Sequence, residues 1–64
     1  MTVKELKKGD MFTFKQIDEP KDSQVWIRDE YDRMSRKYLV ICFNDINRQR
    51  LIKGDTNVYT EFTF

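Results

Sequence analysis

Gln24-Val25-Trp26-Ile27-Arg28-Asp29-Glu30-Tyr31-Asp32, Arg33-Met34-Ser35-Arg36 and Lys37-Tyr38-Leu39-Val40-Ile41-Cys42-Phe43 follow one another without interruption. The outer two runs are rich in β-branched and aromatic residues, which pack well on a pleated surface, and the four residues between them make a tight link. Together they predict an antiparallel hairpin at the centre of the chain. Toward the N-terminus, Asp18–Ser23 is a polar loop containing Pro20, and Met11–Ile17 alternates as a first strand with Phe12 and Phe14 on one face. Gly9-Asp10 breaks whatever precedes that strand. Thr2–Lys8 can form one short helical turn, with Val3 and Leu6 at i, i+3 spacing facing the core. Toward the C-terminus, Asn44–Asn47 is a loop of turn formers, Arg48–Lys53 a short fourth strand, and Gly54-Asp55-Thr56-Asn57 a turn. Val58–Phe64 reads as a fifth strand with Val58, Phe62 and Phe64 on one face. Two Phe in the last three residues would invite aggregation if left loose. The last strand is therefore expected to dock with Phe62 and Phe64 inward, paired with the first strand to help close the sheet.

Composition points the same way. The chain of 64 residues has no Ala and only three Leu, against 14 Val, Ile and Thr and nine aromatic residues. Five short strands joined by short turns suit a small five-stranded antiparallel barrel or a strongly bent sheet, because closure buries the apolar face and removes edges. The expected fold is all-β over a single domain, residues 1–64. An SH3-like barrel matches best in length and strand count, and an oligonucleotide-binding (OB-like) barrel comes second.

A chain this short buries only about 60% of the surface that its unfolded form exposes, so its core is thin and a deep cofactor pocket is not expected. With no His, His triads, His general bases and His-ligated zinc are excluded. The single Cys42 can form neither an intrachain disulfide nor a Cys metal cluster. Small secreted domains normally need such staples, so a reducing, cytoplasmic location is expected. No apolar run approaches membrane-spanning length, and no signal peptide is evident. Twelve Lys and Arg against 11 Asp and Glu leave a net charge of +1, which argues against a general nucleic-acid clamp but not against a local basic patch.

Each chemical feature has a bland reading beside its functional one. Lys8-Gly9-Asp10 and Lys53-Gly54-Asp55 lack the further glycines, the Lys-Ser/Thr and the helix of a phosphate loop, and read as turns. Cys42 lies in the most apolar run without an activating partner and reads as an inert core or sheet residue. Asp18, Glu19 and Asp22, and Asp29, Glu30 and Asp32, lack calcium-loop spacing. The second set stands beside Arg28, Arg33, Arg36 and Lys37, so cross-strand charge pairing is the simpler account. No metal, cofactor or small-molecule substrate is expected, and with no nucleophile–base pair visible, no enzyme.

One constellation supports a binding reading. If the second strand alternates regularly, Val25 and Ile27 face the core, and Trp26 and Arg28 face out. Arg33, Arg36 and Lys37 lie in the nearby hairpin, and Arg48 and Arg50 in the fourth strand. An exposed Trp beside Arg can stack on a base, a proline ring or a partner's apolar side chain. In the alternative, Trp26 packs across the barrel mouth and the cations only solvate the surface, since a thin core recruits every large apolar side chain.

Leu6-Lys7-Lys8-Gly9-Asp10-Met11-Phe12, Ser23-Gln24-Val25-Trp26-Ile27-Arg28, Tyr31-Asp32-Arg33, and Lys53-Gly54-Asp55 with Val58-Tyr59-Thr60-Glu61-Phe62 resemble a family of very short, uncharacterised bacterial proteins. That family is frequent in anaerobic gut bacteria and on their mobile elements. The resemblance covers nearly the whole chain. It implies a free-standing cytoplasmic domain and supplies no activity, ligand or catalytic residue. Asp29 stands where the family pattern has glycine, so the residue type does not itself call for a bulge or tight bend there.

Two functions follow as expectations. The first is a non-catalytic protein-interaction module, a modulator from a mobile element, offering an aromatic-centred face to a protein partner or to its own copy. The second is a nucleic-acid binder using Trp26, Arg28 and the hairpin cations.

Overall fold

In the computed structural model, which describes residues 1–64, four strands form: β1 (Met11–Phe12), β2 (Trp26–Asp32), β3 (Lys37–Cys42) and β4 (Asp45–Lys53). They pair antiparallel in the order β1-β2-β3-β4. The other regular pieces are single 3-10 turns at Val3–Glu5 and Asp22–Gln24. The protein is thus all-β, and the central hairpin and the N-terminal turn lie where the sequence places them.

Register assigns the two faces. Trp26 stands opposite both Phe12 and Cys42, Arg28–Val40–Arg50 forms the next row, and Tyr31–Tyr38–Ile52 the one after. This inner face meets Val3, Leu6 and Val58, which close over it from the two terminal segments; all three belong to one apolar cluster with Phe12, Trp26, Val40, Cys42 and Ile52. Only 11 of the 64 residues are buried, so the terminal segments are essential cover rather than trim. The outer face carries the row Met11–Ile27–Ile41–Gln49, the pair Leu39–Leu51, and the row Asp32–Lys37–Lys53.

Two irregularities bend the sheet. Between Arg28 and Tyr31, β2 has two residues, Asp29 and Glu30, against the single Leu39 of β3. A bulge therefore forms although no glycine is present. It is stabilised from outside: Gly9 N–H donates to the Arg28 carbonyl (2.8 Å), and Lys8 pairs with Glu30 and reaches Asp29 (4.0 Å). In β4, Ile46, Asn47 and Arg48 loop out between the pairs Ile41–Gln49 and Cys42–Asp45. The Asp45 carboxylate accepts the Asn47 N–H (3.0 Å) and the Gln49 amide donates to the Ile46 carbonyl (3.0 Å), which fixes that loop. The expected loop over Asn44–Asn47 is accordingly a two-residue turn at Phe43–Asn44 followed by strand.

The sheet does not close, and the fifth strand does not form. The expected first strand, Met11–Ile17, stops early because Thr13 turns it. Buried Thr13 donates its hydroxyl to the Lys15 carbonyl (2.6 Å) while its N–H and C=O exchange bonds with Tyr59 (2.9 and 3.0 Å). Beyond that single bridge the two segments diverge, so Val58–Phe64 has no ladder to extend. Val58 is buried as expected, but Phe62 is only half-buried. Phe64 is 50% exposed, lying edge-on to Phe43 with centroids 4.8 Å apart. Its expected inward placement is thus corrected. The tail is still held, since Thr63 N–H donates to the Asp18 carbonyl (2.8 Å).

The twin Lys-Gly-Asp tripeptides are both turns, for different reasons. In the first, Asp10 N–H donates to the Lys7 carbonyl (3.0 Å) and its carboxylate accepts the Lys7 N–H (2.8 Å). Gly9 has φ +96°, in the region that L side chains avoid. Gly54 has an ordinary φ. There a Cβ would stand 3.0 Å from Tyr38 Cε1 and 3.3 Å from Lys4 Cβ, so glycine suits a close approach at which any other residue would push those side chains back by a few tenths of an ångström.

Two tests follow. Val58→Ala should cost about 2 kcal/mol in denaturant unfolding and Phe64→Ala about 1 kcal/mol or less; equal losses would show that the tail is core. In a synthetic chain, Gly9→Ala should cost about 1 kcal/mol from its φ alone, since nothing lies within 4 Å of the added carbon, whereas D-alanine, for which positive φ is the favoured region, should cost less. Thermal melts resolve this, since 1 kcal/mol is about 4–8 °C in a domain of this size.

Candidate functional site

The inner face of β2 and β4 gathers most of the chain's cation–aromatic chemistry. Phe12, Phe14 and Trp26 form an edge-to-face ladder, with centroids 5.2 Å apart for Phe12–Phe14 and 5.5 Å for Phe14–Trp26. Strand β4 lays guanidinium groups over it: Arg50 lies 5.0 Å from the Phe14 centroid and 5.9 Å from Trp26, and Arg48 lies 5.6 Å from Trp26. A second cluster lies further along β2. Tyr31 and Tyr38 are 4.8 Å apart, and the Arg28 guanidinium lies 4.7 Å over Tyr38. Arg28 Nε is buried without a hydrogen-bond partner, so the ring face is the compensation this group has in place of an acceptor.

Trp26 is 6% exposed and part of the core, so of the two placements that the sequence leaves open the packed one holds, and Ile27 instead turns to the outer face. The strand begins at Trp26 rather than at Gln24. Val25 precedes the pleat and is buried separately, its carbonyl accepting from Phe43 N–H (2.9 Å). Two consecutive side chains can therefore both point inward. Among the other candidates, Arg28, Arg48 and Arg50 share the inner face with Trp26. Arg33, Arg36 and Lys37 do not join them: they sit at the far end of β2, about 20 Å away at strand rise. The loop there is held by Asp32, whose carboxylate accepts from Met34 N–H (3.1 Å) and Ser35 Oγ (3.0 Å), and Arg36 adopts φ +56°.

Acidic groups do not pair as the sequence suggested. Asp32 faces Lys37 in register without an ion pair, and the bulge carboxylates pair with Lys8, 22 residues from Glu30. Lys8 makes the only ion pairs of the chain. No group of three or more His, Cys, Asp or Glu converges on a point where a metal ion could sit. Cys42 is buried, its single S–H within reach of two acceptors, Asn44 Oδ1 (3.2 Å) and the Ser23 carbonyl (3.7 Å).

Two features had no clear signal in the sequence. One is a shallow cleft of about 220 Å³ beside the aromatic ladder, lined by Phe14, Lys15, Ile17, Gln24 and Trp26. The other is the aliphatic outer face, since Ile27, Leu39 and Ile41 read equally well as core. No helix of the structure is long and apolar enough to cross a membrane. Comparison with protein-family models, curated proteins and solved structures finds no match to this chain.

The Lys8 clasp should be visible in pH. The hydrogen bond from Lys8, and then its charge, hold the Glu30 carboxyl below the usual range; the same bond and charge hold the Lys8 ammonium above its usual value. The Glu30 contribution is therefore present above the ordinary carboxylate pKa and is lost as pH falls through the lowered folded value. The Lys8 contribution is present below the ordinary ammonium pKa and is lost as pH rises through the raised value. The melting difference between the wild type and Glu30→Gln should be widest near neutral pH and vanish in strong acid. A difference that is constant across that range would show that the pair does not form in solution.

Proposed function

We propose that the protein is a small, non-catalytic interaction module that binds another protein surface through the outer face of its sheet. One observation carries the reading: Met11, Ile27 and Ile41 stand in a row across three strands beside Leu39 and Leu51, and none of the five is buried. Met11 and Leu51 are 41% and 45% exposed. An antiparallel sheet with one face on the core normally turns polar residues to water on the other. A contiguous aliphatic face in that place marks a contact surface. It replaces the aromatic-centred face, because Trp26 is held by the core.

The occupant is a protein surface of matching apolar character, either a second copy or a different chain. A modulator role belongs to this same proposal, consistent with a family resemblance that places such proteins on mobile elements but supplies no activity. So does an SH3-like reading of the architecture, which the bridges Thr2–Asn57 and Thr13–Tyr59 support by drawing the chain ends toward one another.

Sedimentation velocity over a wide concentration range, with a pull-down from native lysate, tests the reading. Met11→Lys combined with Leu51→Lys alters two exposed positions and should leave the fold intact while weakening association by about tenfold or more. Association that persists unchanged in this variant, or a captured partner released by nuclease, would overturn the reading.

A further inference from the structure

The cleft beside the aromatic ladder has a chemistry of its own, on the face opposite the aliphatic one. It is lined by Phe14 and Trp26 together with Lys15, Ile17 and Gln24; the Gln24 side-chain oxygen accepts the Lys21 N–H (2.9 Å), which leaves its amide N–H groups to donate. Arg48 and Arg50 lie over the two aromatic rings. The charged residue that lines it, Lys15, and those that lie over its rings, Arg48 and Arg50, are all cations. None of them has a carboxylate within ion-pair distance, since Lys8 makes the only ion pairs of the chain. In a protein whose net charge is only +1, three unpaired cations around two aromatic rings form a marked local asymmetry.

Each part suits one kind of ligand. Guanidinium groups lying on aromatic faces are already oriented, so they lose little further freedom on meeting an anion. Arg48 and Arg50 both lie over the Trp26 ring, 5.6 and 5.9 Å from its centroid, so the two guanidinium groups meet a ligand at the same ring. The rings and the Gln24 amide offer a flat apolar wall with a hydrogen-bonding edge. An acidic peptide would satisfy the cations and leave the wall and the amide unused. A nucleotide strand satisfies all three, provided that the base is free to leave a stack.

We propose that this cleft is a binding site for single-stranded nucleic acid, with one base against Phe14 and Gln24 and the flanking phosphates on Lys15, Arg48 and Arg50. Duplex is disfavoured because its bases are stacked away from the ring. The site is independent of the aliphatic face. It also differs from the constellation read from the sequence, because the hairpin cations take no part and Trp26 serves as a buried wall.

Trp26 is the only tryptophan, so its fluorescence reports on the cleft directly. Folded protein is titrated with an oligothymidylate of about ten nucleotides and with a duplex of equal length, alongside the anisotropy of a labelled oligonucleotide. The single strand should quench Trp26 and bind at least tenfold more tightly than the duplex, with affinity falling steeply as salt rises. Arg48→Gln with Arg50→Gln, both at exposed positions, should lower affinity at least tenfold and flatten the salt dependence, with the melting curve confirming a folded chain. Arg33→Gln with Arg36→Gln should change neither. The proposal is overturned by absence of binding, by equal affinity for duplex, by equal loss in the hairpin variant, or by a short polyglutamate that competes as well as the oligonucleotide. The last result would assign the cleft to an acidic protein partner.

Discussion

The pairing of Trp26 with Phe12 on one side and Cys42 on the other fixes the parity of the whole sheet. A strand repeats every two residues, so a slip of one position would exchange the faces. Ile27, Ile41 and Met11 would enter the core, and Trp26 and Val40 would meet water. The observed parity puts the largest apolar ring inside, where Phe14 packs against it edge-on and Phe12 in turn packs edge-on to Phe14. The two surfaces proposed for binding follow from the same choice. The aliphatic residues excluded by Trp26 become the outer face, and Arg48 and Arg50 are brought over the rings that line the cleft.

The thinness of the core explains how the ends of the chain behave. Val3 and Leu6 come from a single 3-10 turn, anchored by Val3 N–H to the Thr56 carbonyl (3.0 Å) and Lys4 N–H to the Gly54 carbonyl (3.1 Å). The Glu5 carboxylate accepts from the Thr2 N–H (3.2 Å) and hydroxyl (2.9 Å), which steadies that turn and holds the Glu5 carboxyl below its usual pKa range. Val58 closes the core beside that turn, its N–H donating to the Met1 carbonyl (2.8 Å). These bonds do what a fifth strand would have done, covering the inner face without closing a barrel.

Charge is handled differently on the two sides of the molecule. Outside, Lys8 links the Gly9 turn to the β2 bulge by an exposed ion pair, a contact of modest weight in water. Inside, Arg28 and Arg50 flank fully buried Val40 in register, where long stems extend the apolar layer and aromatic faces receive the guanidinium groups. Arginine therefore serves as wall material in a core that is short of apolar volume, and its charge remains available at the rim.

Legible from local signals were the β class, the central hairpin, the turns at both Lys-Gly-Asp sites, and the burial of Val3, Leu6 and Val58. Each rests on a local signal: β-branched composition, glycine with a turn-forming Asp, or an apolar residue in an otherwise polar stretch. Tertiary structure decided the rest. Val25-Trp26-Ile27 and Tyr38-Leu39-Val40-Ile41-Cys42 are apolar at both alternations, so nothing local sets their phase; the partner strands do. Of the predicted site, the cluster of Arg48 and Arg50 with Trp26 could be guessed from residue type, but Phe14, Lys15 and Gln24 join it only because Thr13 turns the chain back along the sheet. The bulge at Asp29-Glu30 and the partner of Glu30 are likewise invisible locally, since both depend on Lys8 and Gly9, which approach β2 only after β1 has paired with it.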